Sequence, residues 1–225
     1  MKLLIDDART DVIRRLCDLY PIDGVTTNPT ILLRAGRAPF EVLHEIRDIL
    51  GADRELHVQV VARDAAGMLK DAERICSEVG RETFIKVPCM PEGYKAMKEM
   101  KRRGMRVTGT AAISPMQVLW ASNCGAEYVA AYVNRMDDFG VSGVEQVRVM
   151  QELLDQSGTD TEILGASFRN TQQVLDVALC GVRASTAAPD ILEAYMKNTA
   201  IASAVEAFTR DFEKLAGPGK TMADC

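Results

Sequence analysis

Eight short apolar, β-branched runs bounded by turn residues alternate along this chain with segments of helical period, and that alternation constrains the fold most. A strand followed by a helix, repeated, is the pattern of a parallel sheet covered by helices. The runs fall at residues 2–6, 24–27, 56–61, 83–87, 106–110, 128–132, 162–166 and 182–185. Between them Val12, Ile13, Leu16 and Cys17 share one helical stripe. So do Met68, Leu69, Ala72, Ile75, Cys76 and Val79, and later Val174, Leu175 and Ala178. Eight such units in 225 residues suit one closed α/β barrel, so the expected fold is a single (β/α)8 TIM barrel and not an open sheet. Ile201, Val205, Phe208 and Phe212 add a helical stripe over 198–215. The expected organisation is a barrel with an extra C-terminal helix over 1–216 and a flexible tail over 217–225.

With 47% hydrophobic and 26% charged residues the chain has enough apolar side chains for such a core. A net charge of -5 argues against a nucleic-acid or membrane-surface partner, both of which favour a basic face. The N-terminus shows no signal-peptide core, and no apolar run approaches the roughly 18 residues of a membrane span. Six cysteines are scattered without a CxxC pair, which fits reduced thiols and a cytoplasmic location. Cys17, Cys76, Cys89, Cys124 and Cys180 are expected as buried small hydrophobes, and Cys225 has no assigned role. No His, Cys and carboxylate spacing reads as a metal site, so neither a metal nor a cofactor is expected. Gly-Pro-Gly-Lys-Thr at 217–221 lacks the spacing and preceding strand of a phosphate loop.

Barrel active sites sit at the C-terminal ends of the strands, and there the sequence is informative. Asp6 closes the first run, Thr26 and Asn28 the second, and Gln59 lies near the end of the third. Thr110, Tyr132 and Ser167 follow on the fifth, sixth and seventh. Within Phe-Ile-Lys-Val-Pro, Lys86 places an amine inside an apolar strand. A desolvated lysine has a depressed pKa, which frees its neutral amine to attack a ketone and form an imine; a structural pairing with Asp6 would also account for it. Asp6, Gln59, Thr110 and Tyr132 supply proton transfer and a hydrogen-bonded water, with either Asp6 or that water taking the proton of a C4 hydroxyl. Arg135, Ser167 and Arg169 after the sixth and seventh strands suit an anion such as phosphate. His57, one layer below Gln59, reads as barrel filler, and His44 lies on a helix.

Five ordered motifs resemble the transaldolase family: Gly24-Val-Thr-Thr-Asn-Pro-Thr30, Ile85-Lys-Val-Pro88, Gly109-Thr-Ala111, Gly125-Ala-Glu-Tyr-Val-Ala-Ala-Tyr-Val-Asn-Arg135 and Gly165-Ala-Ser-Phe-Arg169. The likeness runs over essentially the whole chain and is nearest to the short bacterial branch that includes fructose-6-phosphate aldolase. It implies that Lys86 forms a Schiff base, Asp6 acts on the C4 hydroxyl, Asn28 binds substrate hydroxyls and Thr110 holds a catalytic water. It also assigns Arg135, Ser167 and Arg169 to a phosphate site. Gln59, Ala130 and Tyr132 resemble the aldolase branch, where transaldolases commonly carry Glu, Ser and Phe. Arg169 looks like a transaldolase, and Thr108 and residues 111–117 match neither branch cleanly.

The resemblance therefore implies a cofactor-independent class I aldolase acting on fructose 6-phosphate or a similar ketose phosphate, with dihydroxyacetone and glyceraldehyde 3-phosphate as partners. The alternatives are a transaldolase passing the dihydroxyacetone unit between sugar phosphates, and a catalytically silent barrel that binds sugar phosphates. The same resemblance implies a homo-oligomer, a pentamer or decamer.

Overall fold

The computed structural model describes residues 1–194 and 196–225, which fall into two compact units, Met1–Ile191 and Leu192–Cys225. The first unit begins β1 (Lys2–Asp6), α1 (Thr10–Leu19), β2 (Gly24–Thr26), α2 (Pro29–Ala35), α3 (Pro39–Leu50), β3 (Glu55–Gln59), α4 (Ala65–Val79) and β4 (Phe84–Pro88). It continues with α5 (Pro91–Arg102), β5 (Arg106–Ala112), α6 (Pro115–Asn123), β6 (Tyr128–Tyr132), α7 (Val133–Asp138), α8 (Gly143–Ser157), β7 (Glu162–Ala166), α9 (Thr171–Leu179) and β8 (Ala184–Ala187). All eight strands pair in parallel in the order β1 to β8, and β8 closes on β1, so the fold is a (β/α)8 TIM barrel.

Local sequence explains where the helices begin. Proline stands at the start of α2, α3, α5 and α6, where its missing N–H is one the helix leaves unpaired. Asn28, Asp64 and Asn170 accept backbone N–H bonds from Ile31, Gly67 and Gln173 as N-caps of α2, α4 and α9. Apolar stripes then face inward: Ile13 and Leu16 on α1, Met68, Ala72, Ile75 and Val79 on α4, Val174 and Val177 on α9.

Leu175 departs from its expected stripe. It is 48% exposed, because the buried line of α9 runs through Val174 and Val177 and Leu175 lies about 100° around the helix from Val174. Among the first five cysteines only Cys89 is buried; Cys17, Cys76, Cys124 and Cys180 are partly exposed at helix edges and ends.

Strand ends shift where side-chain pattern and backbone pairing disagree. β8 spans Ala184–Ala187 and not 182–185, because its partners on β1 run from Lys2↔Ala184 to Ile5↔Ala187. Its Ala184, Ser185 and Ala187 carry little strand propensity. β3 starts at Glu55 and ends at Gln59; beyond it Val61 is exposed and its N–H donates to Asp71. β5 runs on through a register shift between Gly109 and Ala112, with Ala111 at φ 58°.

The N-terminal mouth of the barrel is filled by strand-opening residues. Lys2 Nζ lies 2.6 Å from Glu55 Oε1 and 2.9 Å from the Tyr128 hydroxyl. His57 stacks on Phe84 with centroids 4.4 Å apart, and its Nδ1 lies 2.9 Å from Thr108 Oγ1. Arg106 caps the other side of the Phe84 ring at 3.8 Å. Burial is the largest influence on His57 and, against the pull of Glu55, takes its pKa down to about 4, so the ring is neutral at physiological pH. His57 is thus core filler in position, as its place in the strand suggests. Above this plug Leu4, Phe84, Ala130, Leu164 and Ala184 form the barrel core, with Tyr132 packed on top.

Gly93 shows how closely the helices press on this barrel. A Cβ built there would stand 1.9 Å from the carbonyl oxygen of Pro88, so α5 must move off the end of β4 to admit one. Gly93→Ala is expected to lower stability by about 2 to 3 kcal/mol, measured by urea unfolding, despite the better helix propensity of alanine. A neutral or stabilising result would show that α5 is not seated so closely.

Helix α10 (Pro189–Ala194) begins in the first unit. In the second, α11 (Thr199–Ala216) is capped by the Asn198 side chain, which accepts from Ala200 N–H at 2.9 Å, so the expected C-terminal helix is present. The tail carries one 3-10 turn, Met222–Asp224, closed by reciprocal bonds between Thr221 and Asp224.

Candidate active site

A cavity of about 480 Å³ opens at the C-terminal ends of the strands and is lined by Asp6, Asn28, Arg34, Gln59, Lys86, Tyr132, Arg135, Ser167 and Thr186, among others. That is the face on which barrel enzymes carry their chemistry.

Lys86 is one of its lining residues. It is 3% exposed and donates from Nζ to the Thr27 carbonyl at 2.9 Å. Gln59 stands beside it on β3 in register, and Thr108 beside it on β5. Burial pulls the Lys86 pKa down, opposed by the Asp6 carboxylate. Asp6 is pushed the opposite way: burial raises its pKa, while the charge of Lys86 and the Thr26 hydroxyl bond hold it back. Both shifts run toward the neutral form of the group, which is the direction that favours a nucleophilic amine.

Two hydroxyl systems flank this pair. On one side Thr26 donates to Asp6 at 2.6 Å and lies 2.7 Å from the Thr186 hydroxyl, so Asp6 is held by a chain running across β8, β2 and β1. On the other side the hydroxyls of Thr110 and Tyr132 lie 3.3 Å apart. Burial raises the Tyr132 pKa, so its phenol keeps its proton and is available as a donor. Asn28 accepts the Ile31 N–H through Oδ1 as the cap of α2 and also lines the cavity.

The expected anion-binding residues divide. Arg135 on α7 and Ser167 after β7 line the cavity, and Ser167 adopts φ 59°, a left-handed conformation uncommon outside glycine. Arg169 does not reach the cavity. Its side chain is 74% exposed and its Nη1 lies 4.0 Å from Asp138.

Thr186 and Arg34 are among the lining residues absent from the sequence expectation. Thr186 was hidden by the misplaced end of β8. Arg34, in the last turn of α2, stands six residues beyond Asn28, and only the placement of α2 over the mouth brings it to the cavity.

A larger groove of about 670 Å³ lies between α2, α3 and α4, walled by Leu32, Leu33, Phe40 and Ile75, and holds neither Lys86 nor Asp6. The smaller cavity, and not this groove, holds the buried Lys86 amine. Among the described residues no group of three or more His, Cys, Asp and Glu is placed to hold a metal ion. No helix of the described residues is long and apolar enough to cross a membrane.

Fold and sequence together define an enzyme of the aldolase and transaldolase class: residues 3–223 match the family described as Transaldolase/Fructose-6-phosphate aldolase, and the chain belongs to that family. A curated relative, the probable fructose-6-phosphate aldolase of Streptococcus pneumoniae, is 36% identical over 213 residues, 94% of this chain and 96% of the relative. Among solved structures, "Native KDPGal structure" is similar with a TM-score of 0.60 at 12% identity, covering 84% of this chain and 82% of that one. A mutant flavocytochrome b2 with pyruvate bound gives the same TM-score and identity but is covered over only 56% of its length. At such identity these two likenesses concern the barrel alone.

Proposed function

We propose that the chain is a class I aldolase that cleaves and forms the C3–C4 bond of fructose 6-phosphate or a close analogue. The observation that carries this reading is the buried Lys86 amine, set in one cavity with Asp6 and the Tyr132 hydroxyl, which bonds to Thr110.

The neutral amine of Lys86 attacks the C2 carbonyl, and loss of water gives a protonated imine. This cation forms beside Asp6 and favours its carboxylate form, which then takes the C4 hydroxyl proton as the C3–C4 bond breaks. The electrons pass into an enamine, and glyceraldehyde 3-phosphate departs from the side of Arg135 and Ser167, which hold its phosphate. A water held by Gln59, Thr110 and Tyr132 returns a proton to C3. Hydrolysis of the imine then frees dihydroxyacetone. A phenol beside that water favours release of the three-carbon unit over its transfer, since protonation of the enamine is the step that commits it. Asn28 and Thr26 complete the reading as contacts to, or supports for, the donor hydroxyls.

Incubation with fructose 6-phosphate, with and without erythrose 4-phosphate, tests it. Glyceraldehyde 3-phosphate is expected without the acceptor; strict dependence on erythrose 4-phosphate would instead establish a transaldolase. Borohydride treatment with dihydroxyacetone should add the reduced ketone to the Lys86 peptide. Absence of that adduct leaves only a sugar-phosphate-binding barrel.

A further inference from the structure

Strand β5 departs from regular pairing beside the two hydroxyls of Thr110 and Tyr132. Its register with β6 runs Gly109↔Val129 and then Ala112↔Ala131, so Thr110 and Ala111 together stand opposite the single residue Ala130. Ala111 absorbs the extra length at φ 58°, a left-handed conformation uncommon outside glycine. The bulge therefore frees Thr110 from the ladder of β6, the strand that carries Tyr132, although the two hydroxyls lie 3.3 Å apart. The place of Thr110 is set from its other side.

There Thr110 pairs with Pro88 at the end of β4, and its carbonyl accepts the Cys89 N–H at 2.9 Å. The Cys89 carbonyl in turn accepts from Gln117 Nε2 at 3.1 Å. The same amide fastens the far end of the bulge, where Gln117 Oε1 accepts the Ile113 N–H at 2.9 Å and the Ser114 hydroxyl at 3.2 Å. A carbonyl needs a donor and an N–H needs an acceptor, so only this orientation of the amide serves both. Gln117 is half-buried in the first turn of α6 and is not among the residues that line the cavity. It ties that helix to the ends of β4 and β5 at once.

We infer that Gln117 is a positioning residue: by fixing both ends of the bulge it holds the Thr110 hydroxyl against that of Tyr132, and so favours release of the three-carbon unit over its transfer. The inference rests on the reading of these two hydroxyls as holders of the water that protonates the enamine. A proton donor works only within hydrogen-bond reach, and a shift of about 1 Å in such a group is costly. Imine formation lies outside the reach of Gln117. Lys86 is paired on both sides ahead of the bulge, with Gln59 on β3 and Thr108 on β5.

The test uses the intact protein with fructose 6-phosphate and erythrose 4-phosphate, and reads the ratio of dihydroxyacetone released to dihydroxyacetone transferred. The dihydroxyacetone concentration that half-saturates borohydride trapping is measured alongside. Gln117→Leu is expected to lower the ratio at least about tenfold and to move the half-saturating concentration by less than about twofold. A merely structural loss would reduce the amount of active protein and leave the ratio where it was. Gln117→Glu keeps the oxygen that accepts from Ile113 but donates to the Cys89 carbonyl only while protonated. Its ratio, divided by that of the unaltered chain at the same pH, is expected to rise at least about threefold from about pH 8 to about pH 5, as the carboxyl gains its proton. An unchanged ratio in Gln117→Leu overturns the inference. If circular dichroism shows that Gln117→Leu does not fold, Gln117→Glu decides, and a ratio independent of pH there overturns it. No adduct in the unaltered chain overturns the imine reading, and an adduct without release overturns the release reading; this inference falls with either.

Discussion

Lys86→Met is expected to lower turnover of fructose 6-phosphate roughly ten-thousandfold or more and to abolish the borohydride adduct, because no other group supplies the covalent step. Methionine keeps the length and removes the amine, so Phe84, Ala130 and Leu164 below it retain their packing. The lost bond to the Thr27 carbonyl and the lost charge beside Asp6 are local. Circular dichroism of the variant should match the unaltered chain; matched folding with substantial residual activity would remove Lys86 from the mechanism. The pH dependence follows from the same burial. The amine pKa is lowered, so the reactive neutral form persists to lower pH than in a free lysine and is lost as pH falls through the folded-state value. Imine formation in the unaltered chain should therefore decline on the acid side of that value, and a rate that instead rises on acidification would contradict it.

Tyr132→Phe is expected to cut net release of dihydroxyacetone about a thousandfold while reducing its transfer to erythrose 4-phosphate much less. Phenylalanine preserves the ring that packs on the core but removes the hydroxyl that meets Thr110 at 3.3 Å. A positioned proton donor contributes about two to four powers of ten, and that loss falls on the step that protonates the enamine. Transfer bypasses the step because an aldehyde carbon takes the proton's place. Measuring both products in one incubation separates the two fates. An equal loss in both would assign Tyr132 to packing or substrate binding.

Much of this was legible along the chain because parallel barrel strands are short, apolar and evenly spaced, and because polar residues at their ends have no reason to be there in a core. Asp6, Gln59, Lys86, Thr110 and Tyr132 were found that way, and the structure brings them to one mouth. What escaped was set by geometry outside the strands. Arg34 belongs to the cavity only because α2 lies over it, and nothing in Leu33-Arg34-Ala35 marks one helix charge from another. Thr186 was lost with a strand of small residues that reads weakly by propensity. Arg169 was expected at a phosphate site from its place after the seventh strand and from the family motif, yet it is not among the residues lining the cavity and its side chain is 74% exposed near Asp138.

The plug of Lys2, Glu55, His57 and Tyr128 gives the barrel a floor, and a vessel with one opening imposes an order of traffic. On the imine reading, what bonds to the buried Lys86 lies deeper than a phosphate held by the exposed Arg135, so the phosphorylated aldehyde would leave before the three-carbon unit follows. The enamine would then face both the water held by Gln59, Thr110 and Tyr132 and any aldehyde that enters from the mouth. The fate of the bound carbon would then turn on which comes first, proton transfer from that water or the arrival of an aldehyde.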